Sequence, residues 1–497
     1  MKEFFTGLVD TITNVNGAVN NFVWGIPMLI LLVGTGILMT ILTKFFQLSH
    51  IGHWFKNTIG GIFNDKHITK HTDKDDKSIS QFQSLCTALA ATIGTGNIVG
   101  VASALIAGGP GAIFWMWIVA FFGMMTNYSE NVLGIYYRRK NSKDEWCGGA
   151  MYYLKDGLGS YKGCKQIGAI LAILFSVFCL LASFGIGNMS QVNSISANMD
   201  AAFGVPTAVT GIALMLVAAL VIVGGLKRIA SVTEKLVPFM AIAYIIGALV
   251  IFFANIGQVG TIFAAIFKGA FGLRAVGGGI VGSGVKMALT WGMKRGVFSN
   301  EAGLGSSVMV HSNSNVKEPV RQGMWGIFEV CADTMIVCTL TAFAVLSSGL
   351  VDLETGAVLS EASGSALVGE AFATIFGSFG PMFIAVAILL FAFSTVLGWS
   401  HYGSKAWEYL FGTKSTIAYK IVFILMIFIG ATMNLSLAWD LSDTFNGLMA
   451  MPNLIGVLCL SPLVMKITKN YVDRIIRKKD VKPMLSVFPD INDAHAE

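Results

Sequence analysis

The feature that most constrains this 497-residue chain is a series of apolar runs, each about 20 residues or longer. A helix of that length crosses the hydrocarbon core of a bilayer and satisfies all its backbone hydrogen bonds within itself. Hydrophobic residues make up 54% of the chain and charged residues 12%, which is too apolar for a soluble globular protein. Since no ten-residue alternation typical of a membrane barrel occurs, we predict an all-α integral membrane protein.

We predict eleven transmembrane helices, called spans 1 to 11 in chain order. They lie at about residues 22–46, 83–107, 111–137, 167–193, 206–225, 233–254, 277–305, 322–349, 379–401, 417–436 and 443–465. The N-terminus lacks a basic region followed directly by a cleavable apolar core, so we expect no removed signal peptide.

The positions of lysine and arginine predict the orientation. One set of alternate loops holds 26 of these residues, whereas the opposite set holds only Lys2, Lys268 and Arg274. Because basic loops stay on the cytoplasmic side, we expect the N-terminus outside and the C-terminus inside. The expected location is the plasma (inner) membrane of a bacterial-type cell.

Span 2 is interrupted by a polar, glycine-rich stretch, A-L-A-A-T-I-G-T-G-N-I-V-G, at residues 88–100. Three glycines beside threonine and asparagine at mid-depth predict an unwound helix. Freed carbonyl groups there can bind a small cation, and the N–H groups of the continuing half-helix can bind a carboxylate. The alternative is that small residues only let two helices pack closely.

A second polar interruption, R-G-V-F-S-N-E-A-G-L-G-S-S at residues 295–307, lies in span 7. Spans 2 to 6 and 7 to 11 then form two sets of five, each opening with a broken helix, which is typical of inverted-repeat transporters. A rival position for this second break is residues 277–284, where five of eight residues are glycine. We divide the chain into an N-terminal helix and cytoplasmic loop (1–80), a first repeat (81–255), a second repeat (256–466) and a cytoplasmic tail (467–497).

Residues 108–123 read G-G-P-G-A-I-F-W-M-W-I-V-A-F-F-G, which resembles the signature of the alanine/glycine:cation symporter family. The stretches G-T-G-N-I-V-G, G-G-A-M-Y-Y at 148–153 and K-R-G-V-F-S-N-E-A-G-L-G-S at 294–306 also resemble that family, so the likeness covers about residues 20–470. It implies a LeuT-type fold of two five-helix inverted repeats plus one extra N-terminal helix. It also implies sodium- or proton-coupled uptake of small neutral amino acids.

Within that framework the expected substrate-binding residues lie on four spans. They are Thr92, Gly94, Thr95, Gly96 and Asn97 at the first break, Gln191 on span 4, Phe298, Ser299 and Asn300 at the second break, and Thr395 and Trp399 on one face of span 9. Trp399 and Phe298 predict a small pocket.

Two adjacent hydroxyl groups, on Ser394 and Thr395, are suitable oxygen ligands for sodium. The resemblance implies that the carbonyl groups of Ala90 and Ile93 join them. The alternative is that both hydroxyls bond back to the preceding helical turn.

Glu329 and Asp333 lie four residues apart within span 8 and are further candidates for binding a coupling ion or proton. A structural ion pair with Lys294 or Arg295 is the competing interpretation for these acids.

We therefore predict a secondary active symporter that couples sodium influx, or proton influx, to uptake of alanine or glycine by alternating access. A glutamine-preferring symporter of the same family is the alternative, and an amino-acid-permeable channel is the alternative from another class. The motifs H-E-x-x-H, G-x-S-x-G and G-x-x-x-x-G-K-[ST] are absent from the sequence, which disfavours an enzyme or an ATP-driven pump. We expect no organic cofactor and no nucleic-acid partner; the expected partners are the amino acid and the lipid bilayer.

Overall fold

The computed structural model describes residues 2–70, 77–272, 281–433 and 436–496. Nearly all of the regular structure in these ranges is helical, as the apolar runs predict, because a helix pairs its own backbone groups. The names span 1 to span 11 are kept below for the helical segments at the predicted positions.

The spans have the following bounds. Spans 1 to 6 are Lys2–Val23 with Ile26–Leu42; Gln81–Thr92, Thr95–Asn97 and Val99–Gly108; Gly111–Tyr136; Lys165–Phe184, Gly185–Met189 and Ser190–Phe203; Thr207–Ile222; and Gly225–Ala254. Spans 7 to 11 are Val281–Asn300; Pro319–Val330, Cys331–Cys338 and Thr339–Ser347; Phe379–Phe411; Thr416–Thr432; and Ser436–Cys459 with Ser461–Tyr471.

The connections hold short helices and one small hairpin. The helices are Phe46–Ser49, Ile51–Asn57, Ile59–Asn64, Lys66–Thr69, Ala150–Tyr152, Tyr153–Gly157, Leu158–Ser160, Ile256–Gln258, Val259–Ala270, Val308–His311, Ser365–Phe376, Thr413–Ser415, Val472–Ile476 and Pro489–Ala496. Strands Arg139–Lys140 and Trp146–Cys147 pair antiparallel, with Arg139 opposite Cys147.

By length and apolar composition, seven helices among the described residues can cross a membrane, or nine if each of two bent helix pairs is one span. The two bent pairs are spans 2 and 11, with bends of 58° and 59°. The remaining two predicted spans are Thr207–Ile222, which has only 16 residues, and Val281–Asn300, which carries three basic side chains. The count of eleven therefore stays a prediction.

Burial differs from that in a soluble protein in two ways, although apolar side chains also fill much of the interior. Large apolar side chains such as Leu220, Phe239 and Leu425 are exposed on the outside of the bundle, whereas the acids Glu301, Glu329 and Asp333 lie fully buried inside it, as do the Asn97 and Gln191 amides. Lipid is an apolar solvent, so apolar side chains face it without cost and polar groups collect where they can bond to one another. This arrangement places a continuous polar interior between spans 2, 4, 7, 8 and 9.

Span 3 packs closely against spans 7 and 8, and glycines make the approach possible. A methyl group on Gly292 of span 7 would overlap the Ala112 carbonyl oxygen and would lie 2.8 Å from the Trp115 Cβ atom. Two helix backbones therefore touch at this point without an intervening side chain.

We expect Gly292→Ala to destabilise the protein, because its Cβ atom would push spans 3 and 7 apart, and overpacking of this kind costs about 1–3 kcal/mol. The measurement is the unfolding temperature of the purified protein. Gly284→Ala is the matched control: it lies on the same helix with no heavy atom within 4 Å of its added methyl group. Equal unfolding temperatures for the two variants would contradict the packing described.

Candidate functional site

The interruption in span 2 exchanges backbone hydrogen bonds for side-chain hydrogen bonds. In a continuous helix the Gly94 N–H would donate to the Ala90 carbonyl, but here it donates to Asn97 Oδ1 at 2.9 Å. Ile93 (φ −76°, ψ 91°) and Gly94 (φ −140°, ψ −146°) are extended, which starts the 58° bend. The Ala90 carbonyl is consequently released from its usual partner.

Two hydroxyl groups of span 9 meet that released carbonyl. Ser394 Oγ lies 3.2 Å and Thr395 Oγ1 lies 3.1 Å from the Ala90 oxygen, and all three residues are buried. The Ser394 and Thr395 hydroxyls also lie 2.8 and 3.1 Å from the Phe391 carbonyl oxygen, within hydrogen-bonding distance. These contacts are the ones expected if both hydroxyls bond to the preceding helical turn. Neither hydroxyl donates to Ile93, the fourth expected ligand, within the part of the chain that the structure describes.

This oxygen cluster has fewer protons than acceptors. Four oxygen atoms, from Ala90, Phe391, Ser394 and Thr395, share the two hydroxyl protons of Ser394 and Thr395. Each hydroxyl carries one proton, so two protons serve four oxygen–oxygen contacts of 2.8 to 3.2 Å. Oxygen-rich clusters of this kind suit a hard cation.

Gln191 closes the first break from the side of span 4. Its Oε1 accepts the Thr95 N–H at 3.3 Å, and its Nε2 donates to the Ile186 carbonyl at 2.9 Å, inside the π-helical segment Gly185–Met189. The Thr95 hydroxyl, by contrast, is buried and has no hydrogen-bond partner among the described residues. Two of the N–H groups expected to hold a carboxylate, those of Gly94 and Thr95, are therefore occupied by side chains in this structure.

Asp333 joins the two breaks. Its Oδ1 accepts the Asn97 amide at 2.7 Å, and its Oδ2 accepts the Ser299 hydroxyl at 2.7 Å and the Thr334 hydroxyl at 2.8 Å. Asn300 donates to the same Thr334 hydroxyl at 3.0 Å. Asp333 lies in Cys331–Cys338, a π-helical stretch of span 8.

The proposed ion pairs of these acids with Lys294 or Arg295 are wrong. Lys294 and Arg295 approach Asp443 of span 11 instead, at 2.7 and 3.8 Å. Glu329 accepts from His311 Nε2 at 2.9 Å. Asp443 was missed because a single acid at the end of an apolar run gives no sign of its partner.

The second break lies later than predicted. The predicted interval 295–307 is wrong in its first half, because the helix Val281–Asn300 continues through residues 295–300. The same helix includes residues 281–284 of the rival interval 277–284. Residues 277–280 of that interval lie outside the described residues. The chain leaves the helix at Glu301 (φ 57°), Gly303 (φ 93°) and Gly305 (φ 74°), all left-handed. Phe298, Ser299 and Asn300 therefore form the last helical turn before the break.

Of the remaining expected site residues, Thr92 and Trp399 have other contacts. The Thr92 hydroxyl bonds back to its own helix, at 3.4 Å from both the Ala88 and Leu89 carbonyls. Trp399 packs on Gly187, where any side chain would overlap its ring, and its indole N–H donates to Glu301 at 2.8 Å. Sequence reasoning missed Glu301, although an acid inside a glycine-rich interruption was a usable signal.

A cavity of about 200 Å³ adjoins the first break. Its lining residues come from spans 2, 7 and 11 and are Thr95, Val99, Gly100, Ser103, Arg295, Phe298 and Trp439. Phe298 stacks on Trp439 at 6.4 Å, and the Arg295 guanidinium lies 5.4 Å from the Phe298 ring. Gly96 brings the break against span 7, since a methyl group there would lie 3.1 Å from Ser299 Cα. Of the expected site residues, Thr95 and Phe298 thus line the cavity, and Gly96 lies against Ser299 next to it.

Two interrupted or bent helices that meet at a buried polar site are typical of secondary transporters. The solved structure of MhsT in complex with L-phenylalanine is similar to this chain, with a TM-score of 0.50 at 13% identity, over 79% of this chain and 99% of that one. This likeness concerns the fold alone, and it confirms the predicted fold class.

The family follows from the sequence comparisons. Residues 9–485 match the model of the sodium:alanine symporter family. The chain is 44% identical to the sodium/alanine symporter AgcS of Methanococcus maripaludis, over 96% of this chain and 99% of that protein. It is 36% identical to the probable sodium/glutamine symporter GlnT of Bacillus subtilis, over 93% of this chain and 91% of that protein.

The chain belongs to the sodium:alanine symporter family. It is a multi-pass membrane protein and a cation-coupled amino-acid symporter, not an enzyme.

We expect Asn97→Ala to weaken alanine binding about ten- to hundredfold, since it removes hydrogen bonds to a charged group worth about 1.5–3 kcal/mol. The loss would free both the Gly94 N–H and the Asp333 carboxylate and so loosen the first break. Calorimetry at saturating sodium measures the effect. Asn198→Ala is the control, because in the described part of the chain that amide donates to the Ser194 carbonyl of its own helix. Wild-type alanine affinity in a folded Asn97→Ala protein would remove Asn97 from the site.

Proposed function

We propose that this protein carries alanine or glycine into the cell together with sodium, by alternating access. The observation that carries the proposal is the meeting of the Ala90 carbonyl with the Ser394 and Thr395 hydroxyls. A cation at this point would relieve the excess of lone pairs and would fasten span 9 to the first half of span 2.

Sodium suits this cluster because all four oxygens are neutral. A monovalent ion needs less compensating charge than a divalent one, and carbonyl and hydroxyl oxygens are ligands that hard cations prefer. The second place for a coupling ion or proton is Asp333, which Asn97, Ser299 and Thr334 already satisfy with three hydrogen bonds. Because those donors hold the carboxylate in place, the neutral cluster is the first choice.

The substrate carboxylate fits at Thr95. The Thr95 hydroxyl is buried without a partner and lines the 200 Å³ cavity, and its N–H has only a long, 3.3 Å bond to Gln191. A carboxylate would replace the Gln191 oxygen on that N–H and would gain the hydroxyl. Arg295 also lines the cavity, and its guanidinium supplies a favourable positive field for an anionic group.

The close packing around the first break favours a small side chain. A methyl group on Gly94 would overlap Thr395 Oγ1, and a methyl group on Gly96 would lie 3.3 Å from the Phe298 ring. The relative named as an alanine symporter supports the same choice. The relative named as a probable glutamine symporter makes glutamine the main competitor in the tests below.

Alternating access needs contacts that close one side of the site at a time. The partly buried Lys294–Asp443 pair, at 2.7 Å, joins spans 7 and 11 near the cavity, and Asp443 lies at the end of span 11 that the loop charges predict to be external. We infer that opening toward this side separates the pair. The lysine-rich end of the bundle is then cytoplasmic, with the N-terminus outside and the C-terminus inside a bacterial-type plasma membrane.

Removing both hydroxyls in Ser394→Ala/Thr395→Val should raise the sodium concentration for half-maximal uptake by about tenfold or more. Alanine affinity at saturating sodium should change far less, because the ion contacts the helices rather than the amino acid. In the wild type, sodium raises the affinity for alanine by the same factor by which alanine raises the affinity for sodium. The double variant should therefore lose both effects together. Alanine binding measured by calorimetry across a sodium titration tests both effects.

The matched control for that test is Ser400→Ala, another span 9 hydroxyl, which within the described residues donates to its own helix at the Leu397 carbonyl. Its sodium dependence should equal that of the wild type. An undiminished sodium dependence in the double variant would place the ion elsewhere, with Asp333 and Glu329 as the next sites to test.

Trp399→Phe should change which amino acids compete with labelled alanine. The substitution removes the indole N–H that donates to Glu301, so a buried carboxylate oxygen loses this donor. A hydrogen bond to a charged group of this kind contributes about 1.5–3 kcal/mol to stability. We expect weaker alanine uptake and relatively stronger competition by bulkier substrates, glutamine among them.

Trp407→Phe is the control for this substitution, because that indole donates to Ser415 at 2.9 Å outside the site. An unchanged competition profile in Trp399→Phe would separate Trp399 from selectivity. Stronger competition by glutamine than by alanine or glycine in the wild type would establish the glutamine alternative.

A further inference from the structure

Four acids lie in the interior of the bundle without matching basic side chains. They are Glu130 of span 3, Glu301 at the second break, and Glu329 and Asp333 of span 8, each at most 2% exposed. Within the described ranges none of them forms an ion pair with lysine or arginine, and the one basic contact is that of His311 with Glu329. A buried carboxylate is costly unless a cation or a proton compensates its charge. The sodium ligands proposed above include none of these acids.

Hydrogen bonds distinguish Glu329 from the other three acids. Both oxygens of Asp333 and both oxygens of Glu301 accept hydrogen bonds from side chains, as suits a carboxylate ion. Glu130 and Glu329 each have a buried oxygen, Oε2 and Oε1 respectively, that has no partner among the described residues. Of these two acids, Glu329 is the one that a histidine contacts, with His311 Nε2 2.9 Å from its Oε2.

His311 lies between Glu329 and a second side chain of span 8. It ends the short helix Val308–His311 after the second break and is fully buried. Its Nδ1 atom lies 2.5 Å from Gln322 Nε2. Since an amide nitrogen can only donate, Nδ1 is the acceptor here, and the ring is neutral with its proton on Nε2, toward Glu329.

The same side chains can also hold a protonated ring. The Gln322 Oε1 atom is buried and has no hydrogen-bond partner in the part of the chain that the structure describes. A half-turn of the amide would bring this oxygen to His311 Nδ1 in place of the nitrogen. Both ring nitrogens of the imidazolium would then donate, one to Gln322 and the other to Glu329.

The surroundings of the pair lack donors rather than acceptors. Asn131 donates to Asn127 at 2.7 Å, and Asn127 donates to Glu329 Oε2 at 3.4 Å. The buried atoms of this network without a partner in the described ranges are Glu329 Oε1, Gln322 Oε1 and Asn131 Oδ1, and all three are oxygen acceptors. Such a deficit is the sign expected where hydrogen must be supplied, by a bound proton or by water.

We propose that His311 binds a proton at Nδ1 in partnership with Glu329, and that sodium binding expels this proton. Without the proton, the neutral imidazole and the carboxylate together carry one negative charge. With it, they form an ion pair of no net charge. The proton comes from water and returns to water, so the N–H bond at Nδ1 is the one bond that forms and breaks. The site is separate from the oxygen cluster of span 9 and from the Thr95 cavity.

The titratable and charged groups around the pair favour this proton. They are Glu130 of span 3, Arg138 just after span 3, Glu301 at the second break, Asp333 of span 8, and His401 and Tyr402 of span 9. The Arg138 guanidinium is engaged with the carbonyl groups of Ser312 and Ser314, which follow His311. The three acids give the interior around the pair an excess of negative charge, which attracts a proton.

Sodium and this proton oppose each other, an inference that rests on the sodium site proposed above. Asp333 lies one helical turn from Glu329 and accepts the Asn97 amide at the first break, which also releases the Ala90 carbonyl. The two cations would therefore share one interior of low dielectric constant, where positive charges repel each other strongly. Linkage requires that sodium weakens proton binding by the same factor by which the proton weakens sodium binding.

The test follows the His311 ring in the full-length protein in lipid bilayers, by solid-state NMR of isotopically labelled histidine. The His311 signals are assigned by their absence in His311→Gln. In sodium-free potassium buffer the ring should change from neutral to protonated between about pH 8 and about pH 5, the range in which histidine titrates. In Glu329→Gln, which keeps the shape of the side chain and removes its charge, His311 should stay neutral over that range.

Glu370→Gln is the matched control, because that acid lies on an exposed helix face and accepts from Ser360 at 2.6 Å. It should leave the titration of His311 unchanged, and unfolding temperatures show that each variant is folded. The proposal is overturned if the wild-type ring stays neutral throughout, or if it titrates alike in the wild type and in Glu329→Gln.

A second arm adds sodium at the pH where half of the His311 rings are protonated. Saturating sodium should lower the ratio of protonated to neutral rings about fivefold or more, whereas choline should not. Ser394→Ala/Thr395→Val should lose this response. An unchanged ratio while calorimetry shows sodium binding would contradict the expulsion. If sodium does not bind to the wild type, the sodium proposal fails, and the sodium-free titration still decides whether the proton site exists.

Discussion

The structure depends on one exchange of backbone partners, at residues 90–97. The Gly94 N–H leaves the Ala90 carbonyl for the Asn97 side chain, and the released carbonyl meets the Ser394 and Thr395 hydroxyls. In a membrane an unpaired backbone group is costly, so a helix can open only where other polar groups replace the lost bonds. The side-chain hydrogen bonds that stabilise the break also create a cluster of oxygen atoms suited to a cation.

Buried acids connect this exchange to the rest of the interior. Asp333 joins Asn97 of the first break to Ser299 beside the second, and Glu301 joins the second break to Trp399 of span 9. Isolated charges at such depth would be very costly, but each carboxylate here accepts several hydrogen bonds. These carboxylates therefore connect each break by hydrogen bonds to the spans around the other.

The sequence by itself determined the membrane class, the helix positions, the first break and the family. Each of these rests on local features: apolar length, the glycines around Asn97 and a continuous signature at residues 108–123. Only the tertiary structure decided that the second break starts at Glu301 and that Lys294 pairs with Asp443. Those facts depend on which side chains meet across helices far apart in sequence, and the spacing of residues along one helix carries no information about partners on another.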